Sequence, residues 1–207
     1  LARAVHAVEA LDGDRLEREL SEAAVDLPTP QLLERVLAPL LRSIGDGWRE
    51  GRIRPSHEHL TTAVVRSFLG VIALRRDSAG TGGELVVATP AGQLHELGAL
   101  MAAVAAVLDG WRVTYLGPNL AADEIALAAR QRGARAVALS VIYAGDPNRI
   151  EAELRELRRL IGADIGLFVG GAGLAAVTGA LAEVGALRID SIDSFRRVLE
   201  RLRGKTT

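Results

Sequence analysis

The fold is decided by residues 84–116, which read ELVVATPAGQLHELGALMAAVAAVLDGWRVTYL. The stretch opens with a short apolar run, residues 84–89, which has the length typical of a buried strand. A helical stretch follows at residues 96–109, and a second strand is predicted at residues 112–116. A strand, a helix and a strand in this order indicate a parallel pair, because parallel neighbours need a crossover connection.

The alternation continues to the end of the chain. Further strands are predicted at residues 136–142, 165–170 and 187–190, and further helices at residues 121–132, 147–161, 173–184 and 191–203. We therefore expect an α/β fold in which five parallel strands take the flavodoxin-like (Rossmann-like) order 2-1-3-4-5, with helices on both faces. Ligands of such sheets bind at the carboxyl ends of the strands, so the loops that follow the strands should carry the chemistry.

Before residue 76 the apolar residues recur at helical spacing instead. Four helices are predicted, at about residues 1–10, 13–26, 29–50 and 56–75, the last capped by Ser56. Residues 76–83, RDSAGTGG, read as a linker because they are rich in glycine and small polar residues and show no apolar period. The sequence thus predicts two domains, a four-helix bundle at residues 1–76 and an α/β domain at residues 83–207.

Composition excludes several classes of function. The formal net charge of the 207-residue chain is −1, which argues against a basic nucleic-acid-binding surface over the whole chain. Cysteine is absent, which excludes disulfides, thiolate metal sites and cysteine nucleophiles and favours a cytoplasmic location. The longest apolar run, residues 99–108, is far too short to span a bilayer, and there is no signal-peptide pattern, so we expect no membrane partner.

Three of the predicted loops hold residues suited to binding a ligand. His95 follows the first strand, where an imidazole would point into the binding crevice, although a partly exposed histidine at a helix entry is the common structural explanation. Ser140 lies in the otherwise apolar third strand, and its hydroxyl needs a partner, which can be a ligand or a neighbouring carbonyl. Gly170, Gly171 and Gly173 follow the fourth strand and allow the backbone to approach a ligand closely.

A second group of scarce side chains lies in the helical region, within residues 45–59, GDGWREGRIRPSHEH. Trp48 is followed after nine residues by Glu58 and His59, and these side chains could cap a ligand. The alternative is a buried tryptophan with solvated polar neighbours. His57 and His59 lie two residues apart, about 200° around a helix, so they cannot form a metal-binding pair on one face.

Taken together, the loop residues resemble the three-part signature of cobalamin-binding domains. The match covers His95 and Gly98 in QLHELG, Ser140 and Ile142 in LSVI, and Gly170 and Gly171 in VGG, in the order of that family and after the same strands. The resemblance implies that His95 displaces the dimethylbenzimidazole base and becomes the lower axial cobalt ligand, a role that suits a neutral imidazole. It also implies that the base and its nucleotide tail insert near the serine and the glycines.

The helical group narrows the resemblance to CarH-type photoreceptors, MerR-related repressors that sense light through adenosylcobalamin. Trp48, nine residues and then Glu58 and His59 are similar to the W-x9-E-H pattern of that branch, and residues 115–120, YLGPNL, are also similar to it. The resemblance implies that Trp48 packs against the adenosyl group, with Glu58 and His59 near it. It further implies a homotetramer that grips operator DNA in the dark, through a MerR-type domain not present in these 207 residues. Light then breaks the cobalt–carbon bond, the bundle shifts and the tetramer dissociates.

Two positions depart from this family. The acid that is usual two residues before the ligand histidine is Gln93 here, and a neutral amide can position the loop but cannot make the histidine more basic. The histidine that is usual directly after the tryptophan, and that binds cobalt after photolysis, is Arg49, whose guanidinium stays protonated. His57, on the following helix, is the substitute that the sequence offers.

We therefore expect a regulatory module without turnover chemistry, which binds adenosylcobalamin and responds to light. A corrinoid carrier subunit of a methyltransferase would pair the same two kinds of domain, although Gln93 argues against it. A stand-alone cobalamin-binding antirepressor, acting through a protein partner, is a third interpretation. A flavodoxin-like domain without any cofactor is the fourth.

Overall fold

The structure, a computed structural model, describes residues 1–74, 82–143 and 145–204. The chain divides into two compact units, Leu1–Arg75 and Arg76–Thr207, called the helical unit and the sheet unit below. Most of the predicted linker, residues 76–83, lies outside the described residues, which resume at Gly82.

The helical unit follows the predicted helices closely. Its elements are α1 (Ala2–Glu9), α2 (Gly13–Asp26), α3 (Thr29–Leu32), a π-helical turn (Leu33–Leu37), α4 (Ala38–Arg49) and α5 (Pro55–Leu74). The third predicted helix is therefore interrupted by one wider turn, a feature that hydrophobic periodicity does not signal. The predicted cap at Ser56 is wrong, because α5 already begins at Pro55 and His57 Nδ1 accepts the Arg54 N–H at 3.0 Å.

Leucine side chains form the core of the helical unit. Helix α1 packs against α2, α4 and α5, and α2 also packs against α5. Leu33, Leu37, Leu40 and Ile44 follow one another at helical spacing and are all buried, so they form one apolar stripe along the third element. The amphipathic pattern read from the sequence is thus the pattern that packs.

The sheet unit is a five-stranded parallel sheet in the order β2-β1-β3-β4-β5, which confirms the predicted fold class and strand order. Its strands are β1 (Glu84–Pro90), β2 (Arg112–Leu120), β3 (Ala136–Ser140), β4 (Gly166–Gly170) and β5 (Leu187–Ile189). Its helices are α6 (Leu97–Leu108), α7 (Ala122–Arg132), α8 (Pro147–Ile161), α9 (Thr178–Glu183) and α10 (Ile192–Gly204), with a 3-10 turn at Ala172–Val177. β2 continues to Leu120, past the predicted end at residue 116, and it is paired there with Pro90 of β1.

Helices cover both faces of the sheet. Val86 and Ala88 belong to the core cluster beneath α7, α8 and α9, whereas Leu85 and Val87 belong to the cluster beneath α6 and α10. This alternation follows from the two-residue period of a strand, and it makes β1 apolar on both sides. The chain leaves β1 for β2 and later returns to β3 on the other side of β1, so a crevice is expected at the carboxyl ends of β1 and β3.

None of the described helices is long and apolar enough to cross a bilayer.

Candidate cofactor site

The loop between β1 and α6, which carries His95, is fixed to the end of β2 by two side chains. The hydroxyl of Thr89, fully buried, donates to the Gln93 carbonyl at 2.5 Å and accepts the Asn119 N–H at 2.9 Å. Asn119 Oδ1 accepts the Gly92 N–H at 2.7 Å. Asn119 has φ +62°, a left-handed conformation that asparagine tolerates better than most residues. The sequence pointed to Asn119 only through the resemblance of YLGPNL and did not point to Thr89, and the contact between them depends on the extension of β2.

Gln93 ties the same loop to the segment that follows β3. Its side-chain oxygen accepts the N–H groups of Ile142 and Tyr143 at 3.0 and 3.1 Å. Its side-chain nitrogen donates to the Tyr143 carbonyl at 2.5 Å. Gln93 is 3% exposed, and both acceptor positions of its amide oxygen are occupied by backbone groups.

His95 lies at the surface, close in sequence to two buried residues, Gln93 and Glu96. Gln93 precedes it by two residues, and Glu96, which is also buried, accepts the Tyr115 hydroxyl hydrogen at 2.6 Å. The imidazole of His95 is exposed, as is the Leu94 side chain. Side-chain hydrogen bonds of Gln93 and Glu96 therefore anchor the loop on both sides of the histidine. The exposed His95 side chain is accessible to a ligand.

The first turn of α6 meets the end of β3 at a glycine. A Cβ on Gly98 would lie 2.7 Å from Ser140 Oγ and 3.6 Å from Ile142 Cδ1. Only glycine leaves the Ser140 side chain its present position, and Ser140 is itself buried. The structure thus brings Gly98 together with Ser140 and Ile142, which lie more than 40 positions further along the sequence.

The glycines after β4 pack against the backbone of Val141. The Gly170 carbonyl accepts the Val141 N–H at 2.8 Å, and the Gly173 N–H donates to the Val141 carbonyl at 3.0 Å. Gly171 has φ +117°, and a Cβ there would lie 2.7 Å from the Val141 carbonyl carbon and closer still to its oxygen. These glycines therefore allow two backbones to touch, directly beside Ser140 and Ile142. Val141 was not singled out from the sequence, since nothing local marks it.

The residues singled out in the helical unit flank the connection between α4 and α5. Trp48, in the last turn of α4, is 50% exposed, which contradicts the buried tryptophan of the alternative interpretation. Glu58 is half-buried and His59 exposed in the first turns of α5, and Arg49 forms an ion pair with Asp46. His57 already uses Nδ1 to accept the Arg54 N–H, so any metal would have to bind through Nε2.

Gly47 has a structural explanation within that connection. Its carbonyl accepts the N–H groups of Arg52 and Ile53 at 2.9 and 3.0 Å, which closes the turn after α4. A Cβ on Gly47 would lie 2.6 Å from Ile53 Cγ1. The glycine therefore makes room for the buried Ile53 side chain, and the half-exposed Trp48 is presented at the edge of a tight turn.

The donor set at the carboxyl edge decides which kind of metal fits. Within the described ranges of the chain, no group of three or more His, Asp or Glu side chains is placed to hold a metal ion. His95 can supply one imidazole nitrogen, so a metal bound there must bring its other ligands with it. A cobalt ion within a corrin ring meets this requirement, and the imidazole is a suitable axial donor for it. The residues present therefore fit a cobalamin.

Comparisons with known proteins agree with this fit. Residues 83–196 match the model of a family described as a B12 binding domain, and residues 1–73 match a second family model with the same description. The chain is 32% identical over 166 residues to the HTH-type transcriptional repressor CarH of Myxococcus xanthus, covering 80% of this chain and 55% of that protein. It is 30% identical over 196 residues to the repressor CarA of the same organism, covering 95% of this chain and 66% of that protein. The chain thus spans between half and two thirds of these relatives.

Solved structures show the same fold at lower sequence identity. The monomethylamine corrinoid protein of Methanosarcina barkeri matches with a TM-score of 0.71 at 16% identity, covering 96% of each chain. A cobalamin-binding protein of Desulfitobacterium hafniense matches with a TM-score of 0.52 at 16% identity, also over 96% of each chain. A methanol:cobalamin methyltransferase complex of M. barkeri matches with a TM-score of 0.54 at 15% identity, over 99% of this chain and 80% of that one.

Proposed function

This chain belongs to the B12-binding domain family, and on that premise we propose that it is the adenosylcobalamin-binding, light-sensing module of a transcription regulator. It is a cobalamin-binding domain homologous to the CarH and CarA repressors. The observation that carries the proposal is the exposed His95 imidazole on a loop anchored on both sides, beside the close approach of Gly98 to Ser140.

In this proposal the residues of the sheet unit hold the lower side of the cofactor. His95 would supply an imidazole nitrogen to the cobalt, because its side chain is exposed while Gln93, two residues earlier, is tied to the backbone after β3. Ser140 and Ile142 would line the entry of the nucleotide tail, and Gly170, Gly171 and Gly173 would hold the neighbouring segment in place through their close approach to the Val141 backbone and to Ile189.

The residues of the helical unit would hold the upper side. Bound adenosylcobalamin supplies a cobalt–carbon bond that light can break. Trp48 offers a half-exposed indole ring, a flat apolar surface that suits contact with an adenine ring. Glu58 and His59 supply polar groups near the adenosyl group. Loss of that group removes the contact and allows the helical unit to change position.

The signal is then transmitted through assembly. We place the protein in the cytoplasm as a homotetramer in the dark, which binds operator DNA through a MerR-type domain outside these 207 residues. The similarity to CarH and CarA, both HTH-type transcriptional repressors, supports this context. The module itself carries out no turnover.

A dark and light experiment tests the proposal. The purified chain is mixed with adenosylcobalamin in the dark, freed of unbound cofactor, and its absorption spectrum and assembly state are recorded before and after green light. We expect cofactor to be retained, the spectrum to change on illumination and the oligomer to dissociate. Failure to retain cofactor, or an unchanged spectrum and assembly state after illumination, would contradict the proposal.

His95→Ala tests the ligand role within the same experiment. The variant should lose most of its retained cobalamin or keep the cofactor with its own base bound to cobalt, which the absorption spectrum reports. His6→Ala is the matched control, since His6 is an exposed histidine on α1, and it should behave as the unaltered protein. A His95→Ala spectrum identical to that of the control contradicts the assignment.

Trp48→Ala tests the upper contact. We expect the variant to lose its preference for adenosylcobalamin over methylcobalamin, because a smaller side chain leaves the adenine ring without its apolar partner. Val71→Ala, which also removes an exposed apolar group from the helical unit, should keep the preference. A preference for methylcobalamin in the unaltered protein, together with methyl transfer from a partner, would favour the corrinoid carrier interpretation instead. Retention of cofactor by a protein that acts without any DNA-binding segment would favour the antirepressor.

A further inference from the structure

The side chain of Gln93 joins two segments that follow the paired strands β1 and β3. One segment, residues 91–96, carries His95, and the other, residues 141–143, follows β3 and carries Ile142 and Tyr143. The two segments lie about 50 positions apart, and Gln93 connects them with three hydrogen bonds, at 2.5, 3.0 and 3.1 Å.

These bonds require a carboxamide. The oxygen accepts two backbone N–H groups while the nitrogen donates to a backbone carbonyl, so the side chain must be donor and acceptor at once. Glutamate keeps the length and the acceptor but has no donor when it is ionised. Methionine keeps the length and has neither strong donor nor strong acceptor.

Two apolar side chains at the rim depend on this connection. Leu94 is 70% exposed and is the next residue after Gln93, and Tyr143 is 69% exposed and is the residue whose N–H and C=O groups Gln93 binds. The Tyr143 ring lies over Gly145, where a Cβ would be 2.7 Å from the ring atom Cε1. The hydrogen bonds of Gln93 thus fix the backbone that carries the exposed Tyr143 ring, in the segment joined to the loop of His95.

We propose that Gln93 is a positioning residue, whose carboxamide locks the loop after β3 onto the loop of His95 and sets Leu94 and Tyr143 as apolar supports for the corrin ring. Gln93 is buried and its polar atoms face the backbone, so it acts through Tyr143 and does not touch the cofactor itself. The part of this assignment that concerns the corrin rests on the proposed function, whereas the lock between the loops does not.

Amide hydrogen exchange of the full 207-residue chain without cofactor tests the lock. In Gln93→Met the Ile142 and Tyr143 amides should exchange about tenfold faster, because each loses its acceptor. The Val141 amide is an internal control, since it donates to the Gly170 carbonyl and should keep its protection. Gln131→Met, at an exposed position of α7, is the matched control and should change none of the three. Unchanged exchange at Ile142 and Tyr143 in Gln93→Met overturns the lock.

Cobalamin retention tests the positioning role. The dissociation rate should rise in the order unaltered chain, Gln93→Glu, Gln93→Met, because glutamate loses one of three bonds and methionine all three. Equal rates for the unaltered chain and Gln93→Glu would overturn the requirement for an amide, and equal rates for all three would overturn the positioning role. If the unaltered chain retains no cobalamin while the exchange pattern is as expected, the proposed function fails and the lock stands.

Discussion

The two edges of the parallel sheet are held together by different chemistry. At the amino edge, Glu84 is 3% exposed and accepts hydrogen bonds from Thr114, Arg132 and Arg112 at 2.7, 3.0 and 3.3 Å. At the carboxyl edge, the loops that carry the candidate site are anchored by the uncharged side chains of Thr89, Gln93 and Asn119, and the Glu96 carboxylate accepts a hydrogen bond from the Tyr115 hydroxyl. Ion pairs stabilise the amino edge, whereas at the carboxyl edge the side chains of His95, Leu94 and Tyr143 are exposed.

This difference suggests that the amino edge of the sheet serves mainly stability and the carboxyl edge mainly binding. Two further contacts at the amino edge also involve charged side chains. Arg196 binds both carboxylate oxygens of Asp109, and the Arg135 guanidinium lies 5.8 Å from the centre of the buried Trp111 ring. The side chains of Thr89, Gln93 and Asn119 at the carboxyl edge do not titrate near neutral pH, so the hydrogen bonds that they make should be insensitive to pH in that range. Changes at the amino edge are therefore expected to alter stability, and changes at the carboxyl edge to alter binding.

Gly171→Ala should be the largest exception to this division of roles. Gly171 lies at the carboxyl edge, but it serves the packing of two backbones. A Cβ at φ +117° is strained and would overlap the Val141 carbonyl, so we expect a loss of about 4 kcal/mol in the free energy of unfolding. Gly179→Ala, in the open on α9, is the control and should leave stability unchanged or slightly raised. Urea denaturation measures both, and equal midpoints would show that the loop yields without cost.

Glu84→Gln should affect the amino edge next most strongly, with a loss of about 2 kcal/mol at pH 7 because charge-assisted hydrogen bonds are weakened. Burial alone would raise the pKa of the Glu84 carboxyl, but hydrogen bonds from Thr114 and Arg132 and the attraction of Arg132 together lower that pKa below its ordinary value. The stabilisation is therefore fully present above the unfolded pKa of about 4.3 and is lost as pH falls through the lowered folded pKa.

The pH dependence is the distinguishing measurement for Glu84. Between pH 6 and pH 3 the free energy of unfolding should fall less steeply in Glu84→Gln than in the unaltered protein. Glu124→Gln, at an exposed carboxylate on α7, should keep the original slope. Cobalamin retention at pH 7 should be the same in all three proteins, and a specific loss in Glu84→Gln would contradict the division of roles between the edges.

Asp109→Asn should produce a smaller loss, about 1 kcal/mol, since the ion pair with Arg196 has bidentate geometry but is partly screened by solvent. The more exposed pair of Glu156 and Arg159 gives the comparison, and Glu156→Gln should leave the thermal midpoint unchanged. Thermal unfolding in low and high salt measures the difference. A loss that does not diminish in high salt would indicate packing in place of charge.

Leu94→Ser should have the smallest effect on stability. It tests whether a change at the carboxyl edge can alter cofactor binding alone. The side chain is 70% exposed, so the free energy of unfolding should change by less than about 0.5 kcal/mol. Loss of an apolar contact with the cofactor should nevertheless raise the dissociation rate of cobalamin about fivefold. Leu127→Ser, at an exposed position of α7, should change neither quantity. Equal retention in the two variants would remove Leu94 from the binding surface.

Sequence patterns determined the architecture of this protein. The period of the apolar residues distinguished the helical unit from the alternating strands and helices, and it led to the strand order 2-1-3-4-5. The positions of His95 and Ser140 relative to the predicted strands selected them as candidates, whereas Gly98 was selected by the resemblance to cobalamin-binding domains, and their roles toward a cofactor remain predictions. The architecture could be predicted because it depends on spacing along the chain, which a single sequence contains.

Only the tertiary structure decided what the individual polar and glycine residues do. Gln93 reaches Tyr143 across 50 positions, and Gly171 meets Val141 because Ser140 is in register with Gly170. The cap at Ser56 was predicted wrongly because the start of α5 at Pro55 depends on the turn closed by Gly47. Hydrogen bonds and close contacts between distant segments depend on strand register and on angstrom-scale distances, and neither leaves a local signal in the sequence.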